Sequence, residues 1–275
     1  MRERKNLIKK YFFKSKNYSI KYRKYFSVYN DLFKKYINQK IVFIEIGVFN
    51  GGSLDLWRNF FGEKARIIGV DLNPDCKKFK KKGIEIFIGD QSDPKFWKSF
   101  FKKIGKADIV LDDGGHTNAQ QIVTAASCIP NIKNNGMHVC EDTHTSYMQE
   151  YDNPSKYSFI QYTKKLIDDV NFTFPNLFKF KVSLNKFIYS IQTYESVVCF
   201  HVDRARCKIN NLVSNKKINH GIRDYSFGVT NEKLRLKYLY LKKIYFLRRI
   251  IIYIRLKALK IKNKLKNRNN AFYFK

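Results

Sequence analysis

Between residues 41 and 142 short apolar runs alternate with longer amphipathic segments. The runs Ile41-Val42-Phe43-Ile44-Glu45-Ile46, Ala65-Arg66-Ile67-Ile68-Gly69-Val70, Ile84-Glu85-Ile86-Phe87-Ile88, Ala107-Asp108-Ile109-Val110-Leu111 and Gly136-Met137-His138-Val139-Cys140 are nearly continuous in apolar side chains. That is the pattern of strands covered on both faces. Helical periodicity falls between them, over residues 53–61, 94–104 and 118–128. Strands alternating with helices imply βαβ units and a parallel sheet with helices on either side. After Tyr151 the rhythm changes. Residues 157–170 read as a helix, and residues 187–192 and 196–202 as a hairpin across Thr193-Tyr194-Glu195, an antiparallel pair closing one edge of the sheet. No internal repeat and no Pro/Gly/Ser-rich linker interrupts the pattern. The expected architecture is α/β and doubly wound, with a helical lead-in over 1–40, the main domain over 41–206 and a tail over 207–275.

The tail has a periodicity of its own. Tyr240, Ile244, Leu247, Ile251, Ile254, Ala258 and Ile261 recur at alternating four-three spacing, one stripe of a helix. Arg248, Arg249, Arg255, Lys257, Lys262 and Lys264 fall mostly off that stripe, and residues 231–270 carry 14 Lys/Arg against one acid. A basic amphipathic helix suits an anionic membrane surface; a helix packed on the domain or on a partner carries the same stripe. Its longest aliphatic run, residues 250–254, is too short to span a bilayer.

Charge and cysteine content change the picture only in part. The net charge of +31 over 275 residues fits a nucleic-acid footprint. It fits equally the drift of a chain crowded with Lys, Asn, Ile, Phe and Tyr, and charge alone speaks to association rather than fold. A hydrophobic content of 44% supplies a full core. The five cysteines lack CxxC spacing, which argues against a disulfide framework or a zinc site and for a reducing compartment. The basic residues 1–26 precede no apolar run of the kind an export signal needs. The expected location is cytoplasmic, with the tail peripheral on the inner face of the membrane.

Candidate chemistry gathers where strands end. Glu45-Ile46-Gly47-Val48-Phe49-Asn50-Gly51-Gly52-Ser53 forms a strand-to-helix turn. Glycines there let backbone approach a ligand, and the helix start offers free N–H groups. The spacing is not G-x-G-x-x-G; E-x-G-x-x-x-G is the form used for the aminoacyl end of S-adenosylmethionine. Asp71 ends the second strand, 24 positions beyond Gly47, where an acid can accept both ribose hydroxyls; the other reading is a helix N-cap for the segment after Pro74. Gly89-Asp90-Gln91 ends the third strand, either reading an adenine edge or serving as an ordinary loop. Three such signals on consecutive strands point to a nucleoside site beyond their carboxyl ends. Glu45, Gly47, Gly51, Ser53, Asp71, Asp90, Gln91 and Asp112 are the candidate donor-binding residues.

Two acid pairs follow on strands four and five. Leu111-Asp112-Asp113-Gly114-Gly115-His116 and Cys140-Glu141-Asp142-Thr143-His144 place four carboxylates and two imidazoles on one rim. Crowded carboxylates repel one another unless a cation sits among them, and oxygen ligands with open positions suit Mg²⁺. A neutral histidine beside them can take a proton from a bound hydroxyl. The alternative has the acids capping helices. His144 is a second candidate base, His138 reads as core, and Tyr147 and Tyr151 are candidates for lining an acceptor pocket, while His201 and His220 sit in no motif.

Gly52-Ser53-Leu54 with Trp57, Gly89-Asp90-Gln91, the Asp-Asp-Gly-x-His run and Glu141-Asp142-Thr143-x-Thr145-Ser146-Tyr147 together resemble the mycinamicin/macrocin type of macrolide-sugar O-methyltransferase, over about residues 25–151. The resemblance implies a Rossmann-like class I methyltransferase that uses S-adenosylmethionine on a sugar hydroxyl of a glycan or glycosylated metabolite. It also implies Mg²⁺ held by Asp113, Glu141 and Asp142, with His116 as general base. Gly115 stands where the family usually has a serine. An RNA methyltransferase is the rival in the same class, but base-N-methylating enzymes carry an Asn/Asp-Pro-Pro-aromatic motif where this chain has Asp112-Asp113-Gly114-Gly115. Nucleic acid is therefore not the expected partner. From another class, the chain would be a non-catalytic binding subunit on a membrane.

Overall fold

The computed structural model describes residues 7–151, 156–171 and 182–208, with single positions 213, 215, 250, 253, 254, 257 and 258 beyond them. The chain divides into two compact units, Met1–Asn211 and Leu212–Lys275. The residues read as a helical lead-in thus fall in the same unit as the main domain. Tyr240, Ile244, Leu247, Ile251 and Ile261 of the tail stripe lie outside the described residues. Ile254 and Ala258 are helical and exposed.

The first unit opens with helices α1 (Leu7–Phe12) and α2 (Tyr25–Phe33), joined by an irregular segment. Strands and helices then alternate: β1 (Val42–Ile46), α3 (Gly52–Phe61), β2 (Arg66–Asp71), β3 (Ile84–Ile88), α4 (Pro94–Ile104), β4 (Ala107–Asp112), α5 (Asn118–Cys128) and β5 (Ile132–Cys140). Helix α6 (Phe159–Asn171) leads to the hairpin of β6 (Ile188–Tyr194) and β7 (Val197–Val202). The sheet order is β3-β2-β1-β4-β5-β7-β6. The first five strands pair in parallel, and β7 runs antiparallel to both β5 and β6. This is the doubly wound, mainly parallel sheet with an antiparallel edge that the apolar pattern predicts.

Two details differ from the sequence reading. Strand β5 starts at Ile132, because the polar Lys133-Asn134-Asn135 stretch is carried through a register shift opposite β4, between Ala107 and Ile109. The hairpin turns at Glu195-Ser196, with Ser196 at φ 62°, and β6 runs two residues further than expected.

The central strands bury alternate residues in two cores. Phe43, Ile67 and Ile109 face α1, α2 and α3, while Ile44, Ile68 and Val110 face α4, α5 and α6. On the first face Tyr29, Phe33, Phe43, Trp57 and Phe61 form a continuous aromatic contact network. Fully burying side chains of this size contributes roughly 1.5–3 kcal/mol each, so α2 is welded to the sheet. Strand order reverses between β1 and β4, and the crevice beyond the carboxyl ends of the strands at such a reversal is the ligand position in open α/β sheets.

Candidate functional site

A cavity of about 990 Å³ opens at that crevice. On one side lies the turn between β1 and α3. Gly47 at φ 90° passes so close to the loop after β4 that a Cβ would strike the Asp113 carbonyl oxygen, and Gly51 at φ 74° presses against the Phe79 ring. Both positions require glycine, for left-handed backbone and for space. Glu45, fully buried beneath the turn, accepts hydrogen bonds from Ser53 Oγ and Trp57 Nε1, each at 2.8 Å. Burial pushes its carboxyl up to about 7. Its place is therefore to brace α3 against β1.

Asp71, at the end of β2, accepts from the backbone N–H of Val48 (2.8 Å) and Phe49 (3.1 Å) through Oδ2, and from Asn73 N–H through Oδ1. The cap of the following helical turn is Asn73, not Asp71. Asp71 thus clamps the glycine turn while lining the cavity. Past β3, Asp90 Oδ1 accepts from Ser92 N and Oγ, which hold its carboxyl below the usual range. Gln91 is a buried strut: Nε2 donates to Asp112 Oδ1 and Thr124 Oγ1, and Oε1 accepts from Gly115 N–H.

Gly47, Ser53, Asp71, Asp90, Gln91, Asp113, His116, Glu141 and Asp142 line this one cavity. Glu45, Gly51 and Asp112 do not; they lie behind its wall. Asp112 is buried, and burial raises its carboxyl to about 7. Tyr151 and His144 line the cavity, whereas Tyr147 is exposed beyond it. His138 stacks on Phe200 in the core, and burial holds it down at about 3.

At the far side β4 and β5 deliver the acidic cluster. His116 and Asp142 both have positive φ, 60° and 52°, backbone strain of the kind that gathers at functional sites. His116 Nε2 lies 3.3 Å from Asp142 Oδ2, and the His116 carbonyl accepts from Thr145 Oγ1, tying the two loops together. Tyr25 OH donates to Asp142 Oδ1 at 2.5 Å. One ligand atom each from Asp113, His116 and Asp142 falls within 4.8 Å of the others. Ligands at roughly 2.1 Å from Mg²⁺ stand up to about 4.2 Å apart across it, so this donor set fits a divalent ion after a small closure. Asp113 and Glu141 share one buried cation: Lys21 Nζ donates to Asp113 Oδ2 and to both Glu141 oxygens, and Tyr29 OH donates to Glu141 Oε1.

With this geometry in view, the comparisons with known proteins are consistent. Over 126 residues the chain is 35% identical to the mycinamicin VI 2''-O-methyltransferase of Micromonospora griseorubida, a match covering 43% of this chain and 31% of that protein. Over 158 residues it is 29% identical to the 8-demethyl-8-alpha-L-rhamnosyl tetracenomycin-C 2'-O-methyltransferase of Streptomyces olivaceus, covering 54% and 41%. Its curated relatives are sugar O-methyltransferases. Among solved structures, the MycE methyltransferase of the mycinamycin pathway, in complex with Mg, SAH and mycinamycin VI, superposes with a TM-score of 0.63 at 25% identity, over 74% of this chain and 54% of that one. No family model matches the chain. The chain spans about a third to two fifths of the length of the curated relatives it matches.

Sequence reasoning missed Lys21, Tyr25 and Tyr29. They come from the N-terminal segment and α2, about 90 to 120 positions before the acids they bind. Nothing local marks them in a chain rich in lysine and tyrosine. Burial alone would lower the Lys21 ammonium, but the Asp113 and Glu141 carboxylates outweigh it and hold it above its ordinary value.

Proposed function

We propose that the protein transfers the methyl group of S-adenosylmethionine to a sugar hydroxyl of a glycan or glycosylated metabolite, with Mg²⁺ assisting. The observation that carries this reading is a single cavity joining the Gly47–Asp71–Gln91 wall to the Asp113–His116–Asp142 cluster. One wall suits a nucleoside and the other a hydroxyl that must lose a proton, and the cavity brings the two within reach of each other.

The roles follow from the side chains. Gly47 lets the turn backbone approach the donor's aminoacyl end, and Asp71 keeps acceptor capacity for the ribose hydroxyls while its other bonds hold the turn rigid. Gln91 fixes the loop after β4 through Gly115 N–H and presents a polar edge to the adenine. Asp113 and Asp142, joined by Glu141, hold the divalent ion, which supplies Lewis acidity to the sugar oxygens. His116 removes the hydroxyl proton as the oxygen forms its bond to the methyl carbon and the carbon–sulfur bond breaks. The Asp142 carboxylate, 3.3 Å from His116 Nε2, then stabilises the imidazolium. Fixed placement of the two reactants supplies much of the acceleration.

The tail extends the proposal to location: a cytoplasmic enzyme held at an anionic membrane surface by its basic tail. No helix among the described residues is long and apolar enough to cross a membrane.

The test is methyl transfer from labelled S-adenosylmethionine to a panel of glycosylated macrolides and other glycosides. Label should appear on a sugar oxygen with Mg²⁺ and vanish with excess chelator, while calorimetric donor binding persists. Absence of donor binding by the folded protein overturns the enzyme reading; full turnover in chelator overturns the metal's part in it.

A further inference from the structure

The strap between α1 and α2, residues 13–24, belongs to no helix or strand, yet it carries a lysine whose side chain is only 2% exposed. Lys21 Nζ donates to Asp113 Oδ2 and lies 3.0 Å from Glu141 Oε2 and 3.3 Å from Oε1. Tyr29 OH occupies the remaining side of Oε1. Two of the three carboxylates assigned above to the divalent ion are therefore engaged by an ammonium group from the chain itself.

A 2+ ion bound through Asp113 would stand next to Nζ, and like charges in so dry a site repel strongly. We propose that Lys21 and a divalent cation are alternative occupants of the Asp113–Glu141 seat, so that entry of the ion expels Lys21, frees Glu141 as a ligand and releases the strap from the cavity. This rests on the metal reading given under Proposed function.

Three observations favour exchange over coexistence. With Lys21 seated, the ligand cluster that remains is Asp113, His116 and Asp142, which would turn the imidazole needed as base into a ligand. Freeing Glu141 instead supplies a third oxygen, the donor type Mg²⁺ prefers, and leaves His116 to its proton. Apart from Lys21, the strap is held mostly through exposed side chains: Lys24 pairs with Glu195, Tyr22 meets His144 and Tyr18 meets Phe49, while the Asn17–Ser19 stretch packs over Gly52. Ser15 Oγ donates to the Gly52 carbonyl at 2.9 Å and Asn17 Nδ2 to Asp55 Oδ2 at 3.2 Å, while Tyr18, Ile20 and Tyr22 are exposed. Segments that bury so little open at low cost. Because Tyr18, Ile20 and Tyr22 also line the cavity, their release widens its mouth when the ion arrives.

The test uses the full chain with Mn²⁺ as a paramagnetic stand-in for Mg²⁺. Electron paramagnetic resonance titration should show Lys21→Met binding Mn²⁺ about tenfold or more tightly than the native chain, because apparent affinity is reduced by the fraction of molecules in which the seat is taken. Lys21→Arg keeps the tethered cation and should not show that gain. In the native chain, saturating Mn²⁺ should speed trypsin cleavage after Lys21, Arg23 and Lys24 several-fold. Equal Mn²⁺ affinity in the native chain and Lys21→Met overturns the exchange while leaving the metal reading intact. Strap cleavage indifferent to saturating Mn²⁺ also overturns it, and needs no variant to fold. Absence of Mn²⁺ binding in both proteins overturns the exchange and the metal reading together.

Discussion

Asp71 and His116 are the side chains on which the proposed reaction turns, and each is held by its surroundings in a way that sharpens its test. Asp71 takes two N–H groups of the glycine turn before any ligand is considered. Replacing it with alanine should weaken S-adenosylmethionine binding in calorimetry by about 1.5–3 kcal/mol, the usual worth of hydrogen bonds to a charged acceptor. Unchanged affinity in a folded variant would remove Asp71 from the ribose site. His116→Ala should lower turnover by roughly 10²–10⁴-fold, the range for a positioned base, with donor affinity kept; the same loss in His144→Ala, with His116→Ala active, would reassign the base. Glu45 makes a prediction about stability. Its carboxyl is raised by burial from 4.5 to about 7, so the fold binds its proton more tightly than the unfolded chain does. That contribution is complete below about pH 4.5 and is lost as pH rises through 7. Glu45→Gln keeps the shape without the titration. Its stability relative to the native chain should therefore grow between pH 4.5 and pH 8, by at most about 3 kcal/mol, read from denaturant midpoints. A constant difference across that range would show that Glu45 titrates normally.

At the scale of elements, the β1–α3 turn is where local sequence and long-range packing meet. The glycine run announces a tight turn, and the structure adds why Gly47 admits no substitute: the loop after β4 lies against it. Gly47→Ala must relieve both a positive φ and a collision with backbone. It should cost about 1–3 kcal/mol from conformational strain alone, and should weaken donor binding and metal binding together, since the displaced loop carries Asp113. Loss of donor affinity alone, with Asp113 undisturbed in metal titrations, would contradict that coupling. Helix α5 shows the opposite case, an element legible from its own residues. Thr117 and Gln120 form a reciprocal capping box that starts it where the sequence reading does. The acid pairs were legible as a cluster because strands four and five end beside each other. Their individual roles were not, since the cap reading and the ligand reading fit the same residues.

At the scale of the whole molecule the charged tail carries the prediction. A chain truncated at Asn211 ends where the first compact unit ends and should still bind S-adenosylmethionine. It should lose co-sedimentation with anionic liposomes, which the full chain should show at low salt and lose as salt rises, at about 1 kcal/mol per basic residue near the surface. Equal liposome binding by both would move the attraction to the first unit, and unfolding of the truncated chain would retire the membrane proposal. The alternation of apolar runs and helices, with glycines and acids at the strand ends, was enough to determine the doubly wound sheet, its antiparallel edge and the rim where chemistry gathers. Periodicity and turn residues are local properties, and a parallel sheet places all its strand ends on one side. Only the tertiary structure decided that Glu45, Gly51 and Asp112 stand behind the cavity wall, and that Lys21, Tyr25 and Tyr29 reach the acids from the other end of the domain. Those contacts join residues separated by about a hundred positions, and such pairing is set by how α2 and the strap before it pack on the sheet, which no neighbouring residue encodes.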